Sequence, residues 1–337
     1  MSNRTAPVIP GGIISDEVYN LLGFIIQLVI NPSLGIVGIC SNFINIVTFL
    51  KIGLSDGVTQ NFFILSVSDG LSSIIVFISS LSYILQQTIF AGVQRVELQL
   101  QALYWACYYS ATFPQSISVL TTVVIAVVRC CCVAMPFKVR YFLTAKRQLV
   151  AILVASGATI GLLLFTFSPM KTVHLRNPQT NRLFAVLVGY RWATYTAFAG
   201  SLLYASFILV IVCVIILSIS LNRSSKFRES SASNSASSES DKRKDTRVVK
   251  TVVLVSVVFI ICFSPPSIFS IMKAFIGNFS LQGRYRKESR LFLMFIETFY
   301  LINANMNIYI YLLCNTRYRN TFKALFGKAD SSGSKKV

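Results

Sequence analysis

The sequence predicts an all-α membrane protein, a seven-transmembrane helix bundle followed by a short amphipathic eighth helix. Three observations carry this. Of its 337 residues, 54% are hydrophobic and only 13% charged, a membrane composition rather than that of a soluble domain. Charges divide the chain into seven apolar runs, each longer than the ~20 residues that cross about 30 Å of hydrocarbon. Lys and Arg gather at alternate ends of those runs, which sets an orientation.

In order, the spans are expected at 18–50, 57–94, 98–128, 148–170, 192–222, 251–272 and 291–316, the second interrupted only by Asp69 and the last only by Glu297. The segment before them, MSNRTAPVIPGGIISDEVYN, has no signal-peptide pattern, so the first span is expected to act as its own insertion signal. The chain thus divides into an outer segment 1–20, a bundle 21–314 and an inner tail 315–337. With the N-terminus outside, inner segments hold 20 of the 31 basic residues. Sequons at Asn3 and Asn278 fall outside, where they predict glycosylation; a third at Asn222 falls inside. The longest connection contains SSASNSASSESDKRKD, which cannot bury a core and predicts a disordered third inner loop over about 223–244. Its serines beside Glu229, Glu239 and Asp241 read equally as phosphate acceptors or as solvated linker. After the last span, NTRYRNTFKALFGK spaces Tyr318, Phe322, Leu325 and Phe326 among basic residues at helical intervals, as suits a helix lying on inner-leaflet lipids.

Several classes are excluded. The net charge of +19 sits at span ends, where anionic headgroups attract it, and no basic patch interleaves with aromatics, so no nucleic acid is expected. Eight cysteines include no CxxC pair, and the one histidine is His174. That leaves no constellation for a membrane enzyme, no organic cofactor and no expected disulfide.

An acid inside a span costs a few kcal/mol, about 3 on insertion scales, and needs polar company. Asn303 and Asn307 share one helix face, and Ser118 lies eleven residues before Arg129 at comparable depth. Asp69, Ser118, Asn303 and Asn307 could hold a small cation through oxygen, or could form a hydrogen-bonded cluster that locks helices; spacing leaves both open. Arg129 ends an uncharged run at the inner mouth, as a lipid-interface residue or a switch. Pro265 in CFSPP predicts a kink, and so a pivot, in the sixth span.

Taken together, these residues resemble the rhodopsin-like (class A) G-protein-coupled receptors over nearly the whole chain. Asn42 in CSNFINIV resembles the family's first-span Asn, and Asp69 in LSVSDGL its second-span Asp, with Leu65 one turn earlier. Arg129 in VVRCCCVAMP resembles the Arg of Asp-Arg-Tyr, with Pro136 at the family's spacing. Phe259 and Cys262-Phe263-Ser264-Pro265 resemble Phe…Cys-Trp-x-Pro, and Asn307-Ile-Tyr-Ile-Tyr311 resembles Asn-Pro-x-x-Tyr. Tyr318 stands where the eighth helix begins with an aromatic. The departures are Val128 for the acid before the Arg, Cys130 for the Tyr, Phe263 for the Trp, Ile308 for the Pro and Tyr104 for the Cys of the outer disulfide; the fourth span lacks its Trp.

The resemblance implies a plasma-membrane receptor for an extracellular small molecule or peptide, acting on a heterotrimeric G protein, with arrestin and kinases as further partners. In that register Asp69, Ser118, Asn303 and Asn307 bind an inhibitory sodium ion. Arg129, Phe259, Phe263, Pro265, Asn307 and Tyr311 form the activation machinery. Asp245 resembles the acid some members set opposite that Arg. Ligand contacts fall at Tyr108, Gln115, Phe263, Ser267, Leu293 and Glu297. Ala111 stands where amine receptors carry an Asp, and Leu301 where opsins carry their Lys. The ligand cues conflict: Glu297 suits a cationic group, whereas eleven basic residues against four acids outside favour anions. The pattern resembles divergent invertebrate chemosensory or peptide receptors. The rival reading is a cation-coupled seven-span transporter or channel, which an intramembrane Asp would also serve. Against it, the two halves show no repeat and no paired broken spans.

Overall fold

The computed structural model describes residues 12–134, 144–176, 183–189, 191–230, 236–279 and 283–326. Among them, seven helices are long and apolar enough to cross a membrane. The first span runs Asp16–Ile52 as helix Asp16–Phe24, a π-helical turn Ile25–Ile30 and helix Asn31–Ile52. It starts inside the segment expected to lie before the bundle. Ser15 caps it by accepting from the Val18 amide, and Asp16 and Glu17 face the positive end of the helix dipole. The wider π turn places Ile26 and Gln27 together on the buried side.

The second span, Gly57–Gln87, begins at Asp56, whose carboxylate accepts from the Val58 and Thr59 amides at 3.0 Å each. Its buried face is largely serine (Ser66, Ser68, Ser72, Ser73, Ser79, Ser80, Ser82) around Asp69. Small residues let backbones approach closely where lipid offers no hydrophobic drive to associate. At Gly38 of the first span a Cβ would fall 2.5 Å from Ser73 Oγ.

The third span comprises Gln94–Ser110 and Thr112–Ala134, joined at Ala111. The fourth, Ala145–Phe167, is capped by Thr144. Strands β1 (Lys171–Arg176) and β2 (Leu183–Val188) then pair antiparallel, from Lys171 opposite Val188 to Arg176 opposite Leu183. This hairpin is a small addition to the helical bundle: two short Val- and Leu-containing runs flank a polar stretch with Pro178, which is a hairpin signature too short to stand out in a membrane sequence. β2 packs on the outer half of the third span. Arg191 ties its return to the fourth span. The Arg191 amide donates to Thr166 O at 3.1 Å, and its guanidinium donates to Ser168 Oγ at 3.2 Å and to Phe165 O. It also lies 4.0 Å over the Phe165 ring. These contacts anchor the loop.

The fifth and sixth helices run Trp192–Ser230 and Ala236–Phe275, well past the apolar runs. Helical backbone therefore occupies much of 223–244, where composition predicts disorder. A helix already nucleated in the membrane extends at one hydrogen bond per residue, and Ser, Lys and Glu do not stop it. The seventh span is Arg286–Cys314, and the eighth helix Thr316–Phe326 follows at once. Asn315 Oδ1 accepts from the Tyr318 amide at 3.1 Å, which starts the new helix.

At the inner end the core is aromatic. Phe49 packs against Tyr311 and Tyr318 with centroids 5.1 Å away in each case, and Phe62 meets Tyr311 at 4.9 Å. Large apolar residues also face outward, Val154 66%, Ile208 61% and Leu313 75% exposed, as a lipid-facing surface requires.

Candidate functional site

Asp69 is 3% exposed at the junction of three spans. Its Oδ1 accepts from Ser118 Oγ of the third span at 2.7 Å, and its Oδ2 from Asn307 Nδ2 of the seventh at 2.7 Å. One carboxylate thereby clasps the second, third and seventh spans through charge-assisted bonds. Asn303, one turn nearer the outside, is buried, but among the described residues no hydrogen bond reaches its side chain. The structure thus joins three of the four residues singled out around Asp69. Asn42 braces the first span against the seventh by donating to Ala304 O at 3.2 Å.

A second polar chain continues inward. Tyr318 Oη donates to Asn45 Oδ1 at 2.5 Å, which ties the eighth helix to the first span. Sequence reasoning missed Asn45, although Asn42 and Asn45 three residues apart on one face signal it. Tyr311 is fully buried within the aromatic cluster.

Pro265 interrupts the backbone hydrogen bonding within the sixth helix. Proline cannot donate to the carbonyl four residues back, Ile261 O; the Ser264 hydroxyl donates to that oxygen instead, at 2.8 Å. Pro266 deletes the next backbone donor as well. Phe259 and Phe263 stack at 4.3 Å just below this break, and Phe263 touches Tyr300 of the seventh span at 5.0 Å. Ser267 turns its hydroxyl back to Phe263 O at 3.0 Å, while Ser267 O accepts from Tyr204 Oη of the fifth span at 3.1 Å.

Arg129 is half-buried at the inner end of the third span. Asp245 belongs to the sixth helix, but its side chain lies outside the described residues, as do Pro136 and Asn3. Asn278 is exposed in the loop before the seventh span, with φ 65°.

Of the ligand candidates, Tyr108, Gln115 and Leu293 are half-buried. Tyr108 joins an aromatic wall on the outer third span, 5.9 Å from Trp105 and 5.4 Å from Tyr109. Glu297 is different: it is 4% exposed and accepts from Gln27 Nε2 of the first span at 3.0 Å, so it faces the first span rather than the sixth. One turn inward from Gln27, Asn31 Oδ1 accepts from Thr298 Oγ1 at 2.7 Å. Gln27 and Asn31 are a second missed pair, four residues apart on one face like Asn303 and Asn307.

Among the described residues no group of three or more His, Cys, Asp or Glu is placed to hold a metal ion. A comparison with curated proteins found no match. A family model described as 7 transmembrane receptor (rhodopsin family) matches residues 41–311, which takes in the Asp69 clasp, Arg129, the proline break and Tyr311. The chain belongs to the rhodopsin family of seven-transmembrane receptors.

Proposed function

We propose that this receptor sits in the plasma membrane with its N-terminus outside and passes the binding of an extracellular small molecule or peptide to a heterotrimeric G protein. The observation that carries the reading is the Asp69 clasp: a single buried carboxylate joins three spans, beside a sixth span broken at Pro265. A bundle with one shared lock and one hinged helix has two arrangements, and a ligand that binds one better shifts the population. Ligand contact at the outer halves of the third, fifth, sixth and seventh spans would favour outward movement of the sixth about Pro265. The inner cleft so opened would present Arg129 and Tyr311 to the G-protein α subunit, and chemistry stays with the G protein.

The donor set at Asp69 suits sodium. Carboxylate, hydroxyl and amide oxygens are hard ligands, and the uncommitted Asn303 amide adds another. Asp69, Ser118, Asn303 and Asn307 would hold the ion, whose charge would favour the compact arrangement. Asn3 and Asn278 would carry glycans.

Ligand-free activation of the G-protein α classes, compared at matched surface expression, tests the reading. Wild type is expected to show basal activity, because Val128 supplies no acid beside Arg129. Arg129→Ala is expected to abolish it, and Asp245→Ala to raise it by releasing an Arg129–Asp245 pair. Basal activity that is unaffected by Arg129→Ala sinks the G-protein reading; an unchanged Asp245→Ala sinks the pair alone.

A further inference from the structure

The seventh span opens on GRYRKESR at 283–290, in which Arg284, Arg286, Lys287 and Arg290 are basic. The structure sorts these charges by helix face. Lys287 and Glu288 turn toward the start of the first span: Lys287 pairs with Asp16 at 2.7 Å and donates to Ile14 O at 3.5 Å, and Glu288 accepts from the Ile14 amide at 2.9 Å. Arg286 and Arg290, four residues apart, share a different side of the same helix. Arg284, Arg286 and Arg290 are exposed, and among the described residues no salt bridge reaches them.

The acids on this side are directed elsewhere. With the N-terminus outside, the outer segments hold eleven basic residues and four acids. Asp16 pairs with Lys287, Glu288 takes the Ile14 amide, and Glu97 accepts from the Gly92 amide at 2.6 Å, so three of those four serve internal contacts. The strip is also built on packed rings. The Arg284 guanidinium lies 5.8 Å over the Tyr285 ring, which packs on Phe279 at 6.3 Å. Phe279 is 5% exposed and lies 5.7 Å from Phe269 of the sixth helix, and the Tyr285 amide donates to Asn278 O at 3.4 Å. Charges presented on packed backbone lose less entropy when they bind.

We propose that Arg284, Arg286 and Arg290 form a docking surface for a sulfated polysaccharide chain outside the cell. Short basic runs of this kind are polyanion patches, and three guanidinium forks within two helical turns suit bidentate pairing with sulfate oxygens. Lipid headgroups do not supply the anion on this side, because the negative surface potential belongs to the cytoplasmic leaflet. The three groups stand at the solvent surface and not at depth in the bundle, which fits a polymer lying along the receptor. The surface rests on the orientation proposed above and is independent of G-protein coupling.

The test uses the full-length receptor with an N-terminal epitope, expressed in cells that make no glycosaminoglycan, and follows fluorescent heparin fragments on unpermeabilised cells. Wild type is expected to bind them saturably and to release them as salt rises, since exposed charge pairs are screened. Replacing all three residues, Arg284→Gln with Arg286→Gln and Arg290→Gln, is expected to weaken the apparent affinity at least about tenfold at matched epitope signal, the combined effect of three exposed pairs. Arg319→Gln with Lys323→Gln, in the eighth helix on the inner side, is expected to leave it unchanged. No saturable binding in wild type, equal binding by the triple variant, or equal binding of desulfated heparin overturns the proposal. Displacement by poly-glutamate at the same concentration also overturns it, and makes the strip a surface for acidic peptides. An epitope that antibody reaches only after permeabilisation refutes the orientation, whereas an exposed epitope without heparin binding refutes the docking surface alone.

Discussion

Asp69→Asn is expected to remove the sodium sensitivity of basal G-protein activation. In the wild type both carboxylate oxygens accept, from Ser118 Oγ and Asn307 Nδ2, each at 2.7 Å. An asparagine replaces one carboxylate oxygen by an NH2 group, so Ser118 or Asn307 must turn from donor to acceptor and the anionic charge disappears. Hydrogen bonds to a charged group are the stronger kind, so the clasp weakens as well. Basal nucleotide exchange in membranes, measured with sodium replaced stepwise by choline at constant ionic strength, should fall with sodium in wild type and stay flat in the variant. Holding ionic strength constant keeps screening of the receptor–G-protein encounter the same in every sample. Equal sodium dependence in both proteins would remove the ion from Asp69 and leave the hydrogen-bonded clasp as its whole role.

The largest stability effect is expected at Phe49→Ala. Phe49 is 0% exposed and its ring packs on Phe62, Tyr311 and Tyr318 with centroids at 6.2, 5.1 and 5.1 Å. Truncating a buried aromatic in a soluble core costs about 3–5 kcal/mol, part transfer and part cavity. Within a bilayer the transfer part shrinks, because the alternative surroundings are also apolar, while lost packing remains in full. A cost near the lower end, about 3 kcal/mol, is therefore expected. That is a large share of the margin by which proteins stay folded, and surface expression should drop several-fold. Phe49→Leu, which fills much of the volume, should retain most of it. Thermal unfolding of both variants in detergent gives the check, and a wild-type midpoint for Phe49→Ala would show that the cluster does not support the inner end.

How much was legible beforehand differs by element. Spans depend on a property that adds along the chain, apolar transfer energy summed over about twenty residues, so their number and order can be read without coordinates. Asp69 could be singled out for the same reason, as the costliest residue in its run. The hairpin at Lys171–Arg176 and Leu183–Val188 was not legible, because its runs are short and apolar residues surround them everywhere. Composition predicts disorder over 223–244 because it reports whether a segment can fold alone. It says nothing of helices already nucleated on either side, which extend to Ser230 and resume at Ala236.

At the site the division is sharper. Spacing placed Asn303 and Asn307 on one face, yet only packing decided that Asn307 and not Asn303 bonds Asp69. Glu297 could be placed in the outer half of its span, but which neighbour it faces depends on helix rotation. A helix rotates some 100° per residue, and no local pattern sets whether Glu297 faces the sixth span or the first. The sequence by itself thus determined seven spans, the buried acid, the proline break and the family. The tertiary structure alone decided the pairings: Asp69 with Ser118 and Asn307, Ser264 with the carbonyl Pro265 abandons, Tyr318 with Asn45, and Glu297 with Gln27. The physical reason is that insertion is governed by energies additive in residues, whereas each hydrogen bond between spans depends on rotation and depth to within a few tenths of an ångström.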